Sequence, residues 1–307
     1  MLTDRKLVLV TRKTRLQELK ERYGTLGQAK FYLEHLGESF AQYEDEHNRF
    51  EACRRQVVQL LGSIGKLQQL ERGVLPTYRF DAQDIICVLG QDGLVANTLK
   101  YLRGQPVIGI NPLPDLFDGK LLPFNVNELK AILQHVLAAE AQTRAVTLAQ
   151  VDTNLGESLL AVNDLFIGPR SHSSARYLLN YQQQMEEQSS SGIIVSTGLG
   201  STGWFRSIIA GASGVAGKPV QANIANGFPW EAPYLYYSVR EPFPSRSTSC
   251  KQVFGRIEQG KALKLTSRMP DSGVIFSDGM ESDAISFSAG TIADIHVSDI
   301  QGALVSG

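Results

Sequence analysis

The sequence predicts an N-terminal α/β domain with a parallel sheet, followed by a β-sandwich-like domain. Three observations carry that expectation. Two apolar runs, "DIICVLG" (Asp84 to Gly90) and "PVIGI" (Pro106 to Ile110), flank a helix-prone stretch within about 27 residues. That order is the mark of a parallel βαβ unit. After about Ala145 the helical periodicity fades, and short β-rich runs separated by turn residues replace it. Finally, 307 residues exceed what one small core organises, so two domains are the natural division, with one large barrel as the alternative that length leaves open. The boundary falls near Arg144. Residues 1–144 are expected to form the α/β domain, 145–290 an all-β domain, and 291–307 a C-terminal segment.

Along the chain, "KLVLVT" (Lys6 to Thr11) reads as a first buried strand. Leu16 to Leu61 is polar, lacks proline and is punctuated by Gly24, Gly27 and Gly37, which suits two or three helices. "YRF" (Tyr78 to Phe80) is expected to open a second strand. Between the two strands of the βαβ unit, a helix is expected from about Leu94 to Leu102. "NVNELKAILQHVLAAEAQ" (Asn125 to Gln142) is amphipathic, with Leu129, Ile132, Leu133, Val136 and Leu137 at helical spacing and Asn127 as N-cap. Beyond the boundary, "VTLAQV", "SLLAVNDLFIG", "SARYLLNY", "GIIVST", "YLYYSV", "KALKLTS", "GVIFSDG", "AISFSAG" and "ADIHVS" read as strands, and "EEQSSSG" (Glu186 to Gly192) as a hairpin-like turn.

Composition excludes several classes. Net charge is -1, so no electrostatic case exists for nucleic acid or an anionic membrane as partner. No apolar run reaches the ~18 residues that span a bilayer. "MLTDRKLVLVTRKTR" lacks the pattern of a secretory signal. Three cysteines, Cys53, Cys87 and Cys250, make no close-spaced motif, which suits a reducing compartment. The five histidines do not cluster. The expectation is a cytoplasmic protein without a resident metal.

Three stretches carry chemistry. In "VLGQDGLVANTLKYL" (Val88 to Leu102), a buried strand runs through a tight turn into a helix. Such turns lie at the carboxyl end of a parallel sheet, where ligands bind. Gly90 and Gly93 let the backbone bend and bring N–H groups to an anion, where a glycine in place of Gln91 would make a better cradle. Asp92 at the tip either steers a hydroxyl and accepts its proton or caps the helix. In "AVNDLFIG" (Ala161 to Gly168), Asn163 and Asp164 sit inside an apolar run, where they need a ligand, other partners or a turn to solvent. In "SGIIVSTGLGSTGWFRS" (Ser191 to Ser207), a strand enters a turn rich in glycine and hydroxyls. Thr197, Gly198, Gly200 and Ser201 would form a nest for phosphate or ribose oxygens. The lysine of a P-loop is absent. Trp204 could stack on a flat ring or fill the core.

These stretches, in this order, resemble the NAD kinase family. Its Gly-Gly-Asp-Gly-Thr turn looks like "GQDGL" (Gly90 to Leu94), its Asn-Glu pair like Asn163 and Asp164, and its third motif like "SGIIVSTGLGSTGW" (Ser191 to Trp204). "PVIGIN" (Pro106 to Asn111) and "FSDG" (Phe276 to Gly279) are similar to two further family segments. "SSARYLL", "SVREPFPSR" and "VLVTRKTRLQELKERYG" resemble the divergent mitochondrial-type branch. The turn alone is shared with lipid kinases of the diacylglycerol and sphingosine type.

The resemblance implies a Rossmann-like α/β domain, a C-terminal β-domain, a site in the crevice between them, and a last segment that returns to the first domain. It implies phosphoryl transfer from ATP, or inorganic polyphosphate, to the 2′-hydroxyl of the adenosine ribose of NAD. Magnesium would enter on the nucleotide phosphates, with no fixed metal site. Asp92 would be catalytic. Gly93, Asn163, Asp164, Thr202, Gly203, Trp204, Ser207 and Asp278 would bind NAD. Gly90, Gln91, Thr197, Gly198, Gly200 and Ser201 would form the phosphate-binding turns. A homodimer or homotetramer would be the assembly. The chain departs from the family at Gln91, Leu94, Asp164, Ser191 and Gly198. Two other readings stay open: a catalytically silent NAD(P)-binding regulatory protein, and a kinase of the wider superfamily acting on a lipid or sugar.

Overall fold

The apolar run after Lys6 forms β1 (Thr3–Thr11) in the computed structural model, which describes residues 3–221 and 223–306. The polar segment that follows gives α1 (Arg15–Tyr23), α2 (Leu26–His35) and α3 (Phe40–Ile64). Thr14 starts α1 with a capping box: its side chain accepts from the Gln17 N–H, while its own N–H donates to the Gln17 side chain. α3 buries Phe50, Val57 and Leu61 in the core that also holds Leu7, Leu9, Ile85 and Ile108.

The second strand is not Tyr78 to Phe80, which is irregular chain. It is β2 (Gly65–Glu71), "GKLQQLE", parallel to β1 with Leu67 beside Leu7 and Glu71 beside Thr11. β2 is an edge strand that fully buries only Leu70, so no apolar run announces it. β3 (Ile85–Leu89) is wholly buried. α4 (Asp92–Leu99) starts two residues earlier than expected and stops three earlier, which places Gly93 inside the helix. β4 (Pro106–Ile110) then pairs with β3 in parallel, from Ile86 beside Val107 to Leu89 beside Ile110. α5 (Leu129–Leu137) is shorter than its amphipathic pattern. Asn127 does not cap it. Asn125 organises the entry instead, accepting from the Asn127 N–H and donating its own N–H to Glu128. The order β2-β1-β3-β4 is parallel throughout.

The chain divides into two units, Met1–Arg144 with Ala303–Gly307, and Ala145–Gly302. The second contains most of β5 (Thr143–Thr153), β6 (Ser158–Ala161), β7 (Asp164–Pro169), β8 (Ala175–Tyr181), β9 (Gln184–Ser190), β10 (Ile193–Ser196), α6 (Trp204–Ala216), β11 (Tyr234–Val239), β12 (Phe254–Glu258), β13 (Ala262–Ser267), β14 (Gly273–Ser277), β15 (Met280–Ser286) and most of β16 (Ile292–Val305). Its strands form two sheets, β6-β5-β16-β13-β8-β9 and β12-β11-β10-β7-β14-β15. One apolar core, including Val151, Ile167, Tyr177, Val195, Leu265 and Ile295, fills the space between them, as in a sandwich. In the first unit, Ala303 and Leu304 of the last strand pair in parallel with Pro106 and Val107.

"EEQSSSG" is not a turn. Most of it is β9, whose inward residues Glu186, Gln188 and Ser190 are polar yet buried. They satisfy one another: the Gln188 amide donates to Glu186 at 3.0 Å, and the Tyr177 hydroxyl donates to Gln188 at 3.0 Å. A strand with a hydrogen-bonded polar inner face carries no hydrophobic alternation. β12 was likewise not expected, and α6 adds a helix to the unit read as all-β. Among the described residues, no helix is long and apolar enough to cross a membrane.

Candidate functional site

In the first unit, β1 has β2 on one side and β3 on the other, so the winding reverses at this point. The crevice beyond the carboxyl ends of two such strands is where open α/β sheets bind ligands. "GQDG" sits there. Gly90 follows β3, Gln91 precedes α4, and Asp92 is the first helical residue. Asp92 therefore does not cap the helix. Its Oδ1 accepts from the Leu121 N–H at 2.8 Å, and its Oδ2 accepts from the Lys120 N–H at 3.3 Å. Two main-chain donors thus fix the carboxylate.

"PVIGIN" explains how those donors arrive. The chain after β4 folds back over the strand. The Asn111 N–H donates to the Phe124 carbonyl at 2.8 Å, and the Phe124 N–H to the Gly109 carbonyl at 3.3 Å. The Asn111 side chain donates to Phe117 and accepts from Leu113 within the same strap. Gly109 makes room for it: a Cβ there would lie 2.0 Å from the Leu121 carbonyl oxygen.

Gln91 makes no capping bond to the helix. Its Oε1 accepts from Arg12 Nη1 at 2.7 Å. Arg12 also faces Glu18, at 3.4 Å. Leu94 is 2% exposed and presses on the turn, where a Cβ at Gly90 would meet its Cδ2 at 2.9 Å. A narrow cleft with about 20 Å³ of free space opens between the ends of β1 and β3, lined among others by Arg12, Lys13, Arg15, Glu46 and Gln91. Sequence reasoning missed this basic group. The available signal was "RKTR", three cations in four residues directly after a buried strand.

In the second unit, three separated motifs meet at one end of the sheet β12-β11-β10-β7-β14-β15. Asp164, at the start of β7, pairs with Ser196, at the end of β10. Ser277, at the end of β14, pairs with Leu165. Asp278 and Gly279 form the two-residue turn into β15 with φ of 53° and 66°, the left-handed pair of an Asp-Gly hairpin. The Asp278 carboxylate accepts from the N–H groups of Val162 (2.9 Å), Asn163 (2.6 Å) and Asp164 (3.2 Å). It anchors the chain just ahead of β7.

Asp164 stands beside that anchor. The residue is half-buried, but its Oδ1 is enclosed and has no hydrogen-bond partner. Burial pushes its pKa up to about 7; a contact with Ser196 opposes the shift and the nearby Asp278 adds to it. An enclosed oxygen of this kind is costly unless a ligand donates to it or it holds a proton.

The "STGLGSTGW" turn splits into a buried and an exposed half. Thr197, Gly198, Gly200 and Ser201 are buried. The Thr197 hydroxyl donates to the Val162 carbonyl, at 2.5 Å, and the Ser201 hydroxyl donates to the Gly198 carbonyl and accepts from the Phe228 N–H. A Cβ at Gly200 would lie 2.2 Å from the Asn163 carbonyl oxygen, and one at Gly198 would lie 1.8 Å from that of Pro229. These glycines allow close backbone packing, and their neighbours' hydroxyls are engaged within the protein. Thr202, Gly203, Trp204 and Ser207 form the exposed half, at the start of α6. Trp204 is 37% exposed, with Phe166 stacked 5.9 Å away and the Arg240 guanidinium 5.3 Å from its ring centre.

No protein-family model matches the chain, and no curated protein sequence does. Solved structures do. An NAD kinase from Archaeoglobus fulgidus in complex with ATP aligns over 98% of this chain and 93% of its own, with a TM-score of 0.55 and 14% identity. Yeast NADH kinase complexed with NADH aligns over 99% of this chain and 84% of its own, with a TM-score of 0.58 and 15% identity. Identity at this level speaks to fold, and the agreement extends through both units. The chain has the fold of the NAD kinases.

Proposed function

We propose that the protein belongs with the NAD kinases and transfers a phosphoryl group from ATP, or inorganic polyphosphate, to the 2′-hydroxyl of the adenosine ribose of NAD, giving NADP. The observation that carries this reading is the meeting of "ND", "STGLGSTGW" and "SDG" at one end of one sheet. The second of these holds the most specific part of the resemblance to NAD kinases, and the fold that joins the three is that of two enzymes solved with ATP and with NADH.

In this reading Asp92 accepts the 2′-hydroxyl proton as that oxygen bonds to the terminal phosphorus of the donor. The bond from phosphorus to the leaving phosphate breaks, and ADP or a shortened polyphosphate departs. The Lys120 and Leu121 N–H groups orient the carboxylate. Asn163 and Asp164 bind ribose hydroxyls, which places a donor against the enclosed Asp164 Oδ1. Thr202, Gly203, Trp204 and Ser207 line the adenine and ribose side. Asp278 holds the main chain of Asn163 and Asp164 in place. Magnesium would enter on the donor phosphates and neutralise their charge. Among the described residues, no group of three or more His, Cys, Asp or Glu is placed to hold a metal, so no separate metal site is proposed. The assembly is proposed to be a homodimer or homotetramer.

Incubation of purified protein with NAD, magnesium and either ATP or polyphosphate, with NADP read by an NADP-specific dehydrogenase, tests the proposal. NADP should accumulate with at least one donor. NAD binding without NADP from either donor would support the silent NAD(P)-binding reading instead. Neither binding nor product would mean that NAD is not the acceptor.

A further inference from the structure

β5 and β16 are the two strands on which the chain passes from one unit to the other, at Arg144–Ala145 and at Gly302–Ala303. They are neighbours in one sheet. The Ser306 N–H donates to the Gln142 carbonyl at 3.0 Å. Further along, the Ser298 hydroxyl donates to Gln150 Oε1 at 3.0 Å, and His296 Nε2 faces Asp152 Oδ2 at 2.8 Å. The partners move in opposite directions along the two strands, as in an antiparallel pair. The Gln150 amide also donates to Asp152 at 3.0 Å, which joins the last two contacts into one network.

His296 has an acceptor at each ring nitrogen. Nδ1 lies 3.0 Å from the Val297 carbonyl oxygen, and Nε2 faces the Asp152 carboxylate. A carbonyl and an ionised carboxylate can only accept, and a neutral imidazole carries a single N–H. The imidazolium alone satisfies both. Its surroundings favour that charge. Partial burial pulls the His296 pKa down, but the Asp152 carboxylate, the Val297 carbonyl and the charge of Asp299 outweigh it and raise the value above the ordinary 6.5. At Asp152 burial works upward, but Gln150, His296 and Ser158 outweigh it and hold the carboxyl below its ordinary value. On β13, Ala262 stands opposite His296, and Lys264 is paired with Asp294 at 3.5 Å. β6 presents Ser158, 3.5 Å from the Gln150 amide.

We propose that His296, Asp152, Gln150 and Ser298 form a proton-sensitive latch between β5 and β16, closed while the imidazole carries both protons. Loss of one proton to water leaves either Val297 or Asp152 facing a bare ring nitrogen, and the contact with Asp152 loses its charge assistance. The folded protein holds this proton more tightly than the unfolded chain does. The latch therefore contributes in full below about pH 6.5, and its contribution is lost as pH rises through the higher folded value. None of its residues belongs to the proposed acceptor site or to the turn that carries Asp92, so the latch stands or falls independently of the kinase reading.

NMR titration of the full chain tests it, with the His296 ring signals assigned through the backbone. The ring should titrate above pH 6.5, and Asp152→Asn should lower its midpoint. Amide exchange reads the latch itself. Corrected for the intrinsic rate, protection at residues 151–153 and 295–298 should drop about two- to fivefold between about pH 6 and about pH 9, the scale of a partly exposed ion pair. His296→Gln should lose that drop. This variant keeps Asp164, so the difference between it and the parent reports His296 and not the buried carboxyl. The parent titration decides the matter even where a variant does not fold. A His296 midpoint at or below 6.5 overturns the inference, and so does an equal loss of protection in the parent and in His296→Gln.

Discussion

Asp164 joins a residue-level physical oddity to a proposed role. Its pKa, pushed up to about 7 mainly by burial, lies above the ordinary carboxylate value of 3.8. Between those values the folded protein keeps a proton that the unfolded chain releases. Stability should therefore fall as pH rises from about 4 through 7, and level off above. Asp164→Asn removes that dependence. Urea unfolding should show the variant gaining most over the parent at pH 8 and least near pH 4; an equal difference at both would mean that folding leaves the Asp164 carboxyl at its ordinary value. The same substitution should weaken NAD binding. This residue was legible in the sequence, because an Asn-Asp pair inside an apolar run demands partners. Asp92 was legible as well, although its fixing by the Lys120 and Leu121 amides was not. Main-chain donors leave no side-chain signature. Gln91 could be seen as a departure from a glycine, but Arg12, its partner, lies 79 residues away in sequence.

The elements that hold the site are packed on glycines, and this makes their roles separable. Gly109→Ala would drive a Cβ into the Leu121 carbonyl and push away the strap that fixes Asp92. It should cost roughly 1–3 kcal/mol by overpacking and lower turnover more than NAD affinity. Gly200→Ala would press on the Asn163 carbonyl. A similar loss of stability is expected, but with NAD affinity falling. Gly211→Ala, in the interior of α6 with nothing within 4 Å of the added carbon, is the control and should stabilise by about 0.5–1 kcal/mol. Thermal melts and NAD titrations of the three variants distinguish these outcomes. The elements easiest to read from sequence were those with one apolar face or a fully apolar run, such as β3, β4 and α5. β2 and β9 were missed for opposite reasons. β2 is an edge strand with little to bury, and β9 buries polar groups that satisfy one another.

For the whole molecule, the order of a βαβ unit followed by many short strands was enough to give the fold class, because both patterns follow from local burial. Which motif ends meet was not contained in those patterns. Asp164, Ser196 and Asp278 converge through the pairing of β7, β10 and β14, and strand order is a property of the complete sheet. Hydrogen exchange with saturating NAD should slow amides at Val162 to Asp164 and the first turn of α6, where the proposed acceptor site lies. Exchange at those amides unchanged by NAD would contradict the proposed acceptor site. The central claim is phosphoryl transfer to NAD with Asp92 as proton acceptor. Its most direct test is the rate of NADP formation by the parent and by Asp92→Asn, each saturated with NAD and donor as judged by calorimetry. The account predicts NADP from the parent and a loss of about 10²–10⁴-fold in the variant, with NAD still bound. Parent turnover that survives the substitution, or a saturated parent that makes no NADP, would contradict it.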